Sequence, residues 1–139
     1  MRELIGQYDL IIPRQEDTRN YGTSGTIYDQ YAKDHFIQDL DDCLEYVARR
    51  HPGVARFNDV LHRHTGYFCN MLIARRGVFR DYCEFLFDVL GHFDETHDIS
   101  NYNPAQYRVN GYLAERLTNI YIHYLQGLGM TSMCPTSPP

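Results

Sequence analysis

The residue types best suited to chemistry crowd into one stretch, Arg108-Val-Asn-Gly-Tyr-Leu-Ala-Glu-Arg-Leu117. If the first turn is helical from Arg108, then Arg108, Tyr112 and Glu115 fall at i, i+4 and i+7 and share a face, with Arg116 beside it. A guanidinium, a phenol and a carboxylate in one row can hold a polyol or a phosphate. The plainer reading is a solvated helix face with an intrahelical ion pair. A second row, His35, Asp39 and Asp42, has the same spacing and would supply a general base or half of a metal site. Its plainer reading is an acidic first turn that complements the helix dipole. Asn70 interrupts an otherwise apolar run, where a buried amide either pins a neighbouring loop or points into a cleft.

Other patterns carry less. Asp39-Leu-Asp41 spells the Asp-x-Asp of metal-dependent sugar transferases, but on a helix residues two apart point roughly 200° from each other, so a shared ion is not expected. His62-x-His64 and the pair His92 and His97 lack a third ligand at a recognised spacing. There is no Gly-rich phosphate loop after a strand and no Ser or Cys nucleophile signature.

The elements that must position these groups are mostly helical. Tyr8-Asp-Leu-Ile-Ile-Pro13 reads as a short buried strand ended by proline, and residues 14–25 as a mobile loop. Asp34 is placed to cap a helix with the apolar stripe Ile37, Leu40, Leu44, Val47 and Ala48, stopped at His51-Pro52-Gly53. A short helix follows from Val54 to Leu61, with Phe57, Val60 and Leu61 inward. Gly66 to Ala74 is nearly continuous in apolar residues and reads as a central strand covered on both faces. The longest helix buries Val78, Tyr82, Phe85, Leu86, Val89 and Phe93, and the last helix Leu113, Leu117, Ile120, Tyr121 and Tyr124. So few strands leave backbone groups short of partners, and the chain reads as part of something larger or as a unit that dimerises.

Composition bounds the function. The 139 residues suit a single domain over 1–129, with a disordered tail at 130–139. A hydrophobic share of 43 % and a charged share of 22 % are those of a folded protein. A net charge of -5 argues against nucleic acid as a partner. The 12 tyrosines suit sugar contacts as well as half-buried packing. No apolar run reaches the roughly 20 residues of a membrane span. Irregularly spaced Cys43, Cys69, Cys83 and Cys134 read as free thiols in a reducing cytoplasm.

Several segments, taken in order, carry a resemblance: Tyr8-Asp-Leu-Ile-Ile-Pro13; Thr26-Ile-Tyr-Asp-Gln-Tyr31 with His35 and Asp39-Leu40; Tyr67-Phe-Cys-Asn-Met-Leu-Ile73; Tyr82-Cys-Glu-Phe-Leu-Phe87; and Arg108 to Leu117. Together they resemble the C-terminal half of a bacterial glycosyltransferase family, domain of unknown function 4422, associated with capsule and exopolysaccharide synthesis. The resemblance implies an α+β fold, predominantly helical with few short strands, like the C-terminal part of an α/β (GT-A-like) glycosyltransferase domain. It implies hexose transfer from a nucleotide sugar to a capsular or exopolysaccharide acceptor, in the cytoplasm at the inner face of the inner membrane, and leaves a divalent metal and homodimerisation open. The polar positions carried over are His35, Asp39, Asn70, Arg108, Glu115 and Arg116, with Tyr112 joining them as a substrate contact. Glu115 or His35 would be the catalytic base, Arg108 or Arg116 would face the departing diphosphate, and Asn70 would orient the sugar. The family's N-terminal nucleotide-binding layer, with a His-Tyr-Arg-Arg motif, has no match here. The expectation is therefore an acceptor-side portion, inactive alone. The competing reading is a non-catalytic helical module that binds a protein or itself.

Overall fold

One helix organises the interior, and its sequence shows why. In the computed structural model, which describes residues 6–22, 25–68, 72–104 and 106–134, Val109–Gly127 (α5) is buried on nearly every side from Leu113 to Ile122. A helix that is apolar on one stripe only would lie on the surface; α5 carries Leu117, Ile120 and Ile122 on differing faces and is enclosed. Ile27–Asp34 (α1), Ile37–Arg50 (α2), the single turn Pro52–Ala55 (α3) and the long helix Arg76–Thr96 (α4) complete the helical part. Helix α5 packs on α3, α4 and a 3-10 turn at Asn58–His62, while α2 packs on α3 and α4.

Side-chain rungs hold α2 against α4. His51 Nε2 lies 2.6 Å from Asp88 Oδ2, and the Tyr46 hydroxyl donates to Asp88 Oδ1 at 2.9 Å. At the other end, His97 Nε2 lies 2.7 Å from Asp42 Oδ2. Between them the rings of His92 and Tyr46 stack at 3.9 Å. These bonds occupy His97, His92 and Asp42 in joining helices. Across α4 and α5, the buried hydroxyls of Tyr82 and Thr118 meet at 2.7 Å.

The strands are two residues each. Leu10–Ile11 (β1) lies between Ile73–Ala74 (β4, antiparallel) and Ser132–Met133 (β5, parallel). Glu16–Asp17 (β2) pairs antiparallel with Thr65–Gly66 (β3). The Asp9 carboxylate secures both neighbours of β1, accepting from Arg75 Nε at 3.0 Å and from the Thr131 N–H at 2.9 Å.

Several expectations need correction. Thr65–Gly66 and Ile73–Ala74 belong to different sheets, so 66–74 is no single central strand. The physical reason is a tertiary contact: the Tyr67 N–H donates to the buried Asn119 side chain at 2.9 Å rather than to a neighbouring strand. Asp34 does not cap α2; it ends α1, and Phe36 precedes α2 with no side-chain cap. The stripe of α2 is rotated, with Asp39, Cys43 and Tyr46 buried beside Leu40 and Val47, and Ala48 exposed. Residues 14–25 hold β2 and a 3-10 turn at Thr18–Tyr21, where the fully buried Thr18 donates its hydroxyl to the Gly25 carbonyl at 2.7 Å. Ser132 and Met133, expected in a tail, form β5. Cys43 and Cys83 are free thiols, and Cys69 lies outside the described residues.

Candidate functional site

Helix α1 is the element that sequence reasoning missed, and it forms half of the site. Thr26 caps it by accepting from the Asp29 N–H, while the Asp29 carboxylate accepts from the Thr26 N–H at 2.9 Å. That reciprocal pair satisfies two otherwise orphaned donors. Gln30 and Asp34 then fall one turn apart on α1, and His35 stops the helix in extended conformation. On α5, Tyr112, Glu115 and Arg116 are spaced i, i+3 and i+4 and so share a face. The two trios meet, with Phe68 closing one side, around a recess of about 170 Å³.

Arg116 is the anchor of this recess. Only 6 % exposed, it donates from Nη2 to Gln30 Oε1 at 3.2 Å and from Nη1 to the Tyr112 carbonyl at 3.4 Å. Its guanidinium lies 5.2 Å from the centre of the Tyr31 ring, and Nη1 is 3.6 Å from Glu115 Oε2. Its Nε is buried with no hydrogen-bond partner among the described residues. Burial lowers the pKa of Arg116 and raises that of Glu115, and the mutual attraction of the pair opposes both shifts. At that separation the attraction is worth about 4 kcal/mol for an effective dielectric near 20. Burying each ion costs several kcal/mol, so burial wins for both. Arginine nonetheless stays charged.

His35 stacks on Tyr112 at 4.0 Å and contacts Tyr31 at 5.1 Å. Burial, and then the charge of Arg116, push its pKa below the usual histidine range, with Asp34 opposing. At neutral pH it is therefore an uncharged imidazole with a free acceptor nitrogen. Two groups able to take a proton, His35 and Glu115, thus line the same recess. The buried guanidinium of Arg116 lines it too, and Tyr112 and Phe68 supply aromatic surface. This is the mixture that a polyhydroxylated ring presents in reverse: apolar faces edged by hydroxyls that donate and accept.

Of the residues picked out by sequence, His35, Tyr112, Glu115 and Arg116 meet here. Arg108 is exposed on the turn before α5, with its guanidinium 6.0 Å from the centre of the Tyr112 ring. Asp39 does not join them. It is buried on α2 and accepts from the Tyr102 hydroxyl at 2.7 Å. The row of His35, Asp39 and Asp42 is not a row, because His35 precedes α2 and the two carboxylates face Tyr102 and His97 respectively. Asp41 accepts from Tyr28 at 2.7 Å, tying α1 to α2. Asn70 lies outside the described residues. Gln30, Asp34 and Phe68 were not anticipated. The pattern Thr26-Ile-Tyr-Asp29, a capping-box signature, could have located α1 and with it the first two.

Among the described residues, no helix is long and apolar enough to cross a membrane. The family described as "Domain of unknown function (DUF4422)" matches residues 1–126. Among solved structures, the apo structure of the WbbM bifunctional glycosyltransferase is similar over 99 % of this chain, with 28 % sequence identity and a TM-score of 0.85. This chain spans 25 % of that one. No curated protein matches.

Proposed function

We propose that this chain, which belongs to the DUF4422 family, is the sugar-handling portion of a glycosyltransferase that moves a hexose from a nucleotide sugar to a capsular or exopolysaccharide acceptor. The observation that carries this reading is the convergence of Glu115, Arg116, His35 and Tyr112 on one recess, in a fold shared with a glycosyltransferase. A volume of about 170 Å³ is below the roughly 300–1,000 Å³ of a complete small-molecule site. It suits one ring of a larger substrate.

In this reading Glu115, its carboxylate pKa raised by burial, accepts the proton of the acceptor hydroxyl as that oxygen attacks the anomeric carbon. His35 is the second candidate for that role. The buried guanidinium of Arg116 donates hydrogen bonds to the oxygens of sugar hydroxyls. Arg108, exposed at the rim, is the cation placed to meet the departing diphosphate. One exposed cation is a modest counterweight to a diphosphate, so the chain alone binds its donor weakly and transfers nothing.

Titration of uridine and guanosine diphosphate sugars by ligand-observed NMR tests this. Saturable binding is expected, weakened at least tenfold by Arg108→Ala. Glu115→Gln is expected to retain binding. Absence of saturable binding, together with a stable dimer in sedimentation, would favour a self-associating module instead. Sugar transfer by the purified chain would contradict the claim that it is inactive alone.

A further inference from the structure

Helix α4 turns one side to α2, α5 and β4 and the other to solvent. On that outer side Arg76, Arg80, Cys83, Phe87, Leu90 and Asp94 fall at i, i+4, i+7, i+11, i+14 and i+18. Alternating steps of four and three make the seam of a coiled coil, and the 21 residues of α4 give it three heptads. The middle of this seam is apolar and its ends are charged. Phe87 is 66 % exposed, and Phe79, which flanks the seam, is 45 % exposed. Apolar residues exposed in a row, rather than singly, mark a surface that meets a partner.

The charges at the two ends run against what a lone helix favours. A helix N-terminus is the positive end of the dipole and attracts anions, and the C-terminus attracts cations. Yet α4 starts at Arg76 with no acid in its first turn, and Asp94 and Glu95 close it with no base in its last. Neither Arg76 nor Asp94 has an ion pair among the described residues. Asp94 accepts only from Asn110, through one oxygen at 2.9 Å. Within one chain these charges oppose the helix; between two antiparallel helices they match.

We infer that two copies of this chain pair through α4, antiparallel about a two-fold axis at the level of Phe85. That register sets Cys83 opposite Phe87 of the second copy, Arg80 opposite its Leu90 and Arg76 opposite its Asp94. The symmetry makes each of these contacts twice. Arg76 then also lies beside the negative end of the facing helix, and the Arg80 stem covers Leu90 while its guanidinium stays in water. Glu84 of each copy meets its equivalent across the axis, a like-charge contact that weakens the pairing. An anionic lipid surface would attract the arginines but repel Asp94 and Glu95, whereas a second copy complements the whole face. No residue of this seam lines the Arg116 recess, so dimerisation and sugar binding are tested apart.

Sedimentation velocity of the full chain over a hundredfold range of concentration is the test. A monomer–dimer equilibrium is expected, weaker in high salt. Arg76→Glu, which sets two carboxylates face to face, should weaken it at least tenfold, and adding Asp94→Arg should restore it. Phe87→Glu should abolish the dimer, and Glu84→Gln should strengthen it severalfold. All four positions are exposed, so the circular dichroism spectrum should stay unchanged. A monomer at every concentration, a dimer indifferent to Phe87→Glu, or a double variant no better than Arg76→Glu alone would overturn the inference.

Discussion

At the residue scale, Arg116 makes the most demanding prediction. Truncating one member of a buried charged pair strands the other and costs about 3–5 kcal/mol. Arg116→Ala should therefore lower stability by about that amount in urea unfolding, since it also removes the contact with Tyr31 and leaves a cavity. Combining Arg116→Met with Glu115→Gln should recover most of it, because neither an ion nor a large void remains. His123 makes a prediction about pH. Its ring is packed against Tyr67 at 5.6 Å, its Nε2 is buried without a partner among the described residues, and burial followed by Arg63 holds its pKa below the usual histidine value. The unfolded chain then binds more protons than the folded one as pH drops below about 6.5. His35 behaves in the same sense. Stability should fall as pH is lowered through 6.5, and His123→Phe should flatten that slope in urea midpoints measured from pH 7.5 to 5.5. An unchanged slope would assign the effect to His35 alone. The types and spacing of Tyr112, Glu115 and Arg116 were legible in the sequence. Their depth was not, because burial of Arg116 depends on Gln30 and Tyr31, about 86 residues away.

At the element scale, the helices with strong periodicity were readable and the elements fixed by tertiary contact were not. Tyr82, Phe85, Leu86, Val89 and Phe93 are buried on α4 as their spacing required. The run Gly66 to Ala74 looked like a strand by composition, yet Tyr67 turns inward to meet Asn119, a partner no local pattern announces. Gly66 fits there because an added Cβ would press on Ile27 and approach the Asn119 side chain to about 3.1 Å. The short helix α1 depends more heavily on its cap than the long ones do. Thr26→Ala should cost about 1 kcal/mol, read as a lower urea midpoint. It should also weaken ligand binding at the recess, because Gln30 and His35 are positioned by that helix. A stability loss with binding untouched would mean that α1 does not organise the site.

At the scale of the whole molecule, the mostly helical α+β class was legible from the ratio of periodic helical segments to short apolar runs. The five strands among the described residues, each of two residues, were not countable in advance, since pairs this short exist only where packed helices hold them in register. The likeness to a glycosyltransferase over 99 % of the chain explains why the ordered segments were recognisable together when none was decisive alone. The two faces of α5 differ: one bears the Arg116 recess, the other a recess lined by Tyr121, Tyr124 and acids of α4. A ligand of either can be assigned by position.

Mapping backbone amide shifts while a uridine or guanosine diphosphate sugar is added to the full chain therefore tests the central claim most directly. The expected result is a contiguous set of saturating shifts at residues 30–35, 68 and 108–116, abolished for most of those residues in Arg116→Met. Shifts confined to 81–88 and 121–124, or scattered over the surface without saturation, would contradict the assignment of sugar handling to the recess around Arg116.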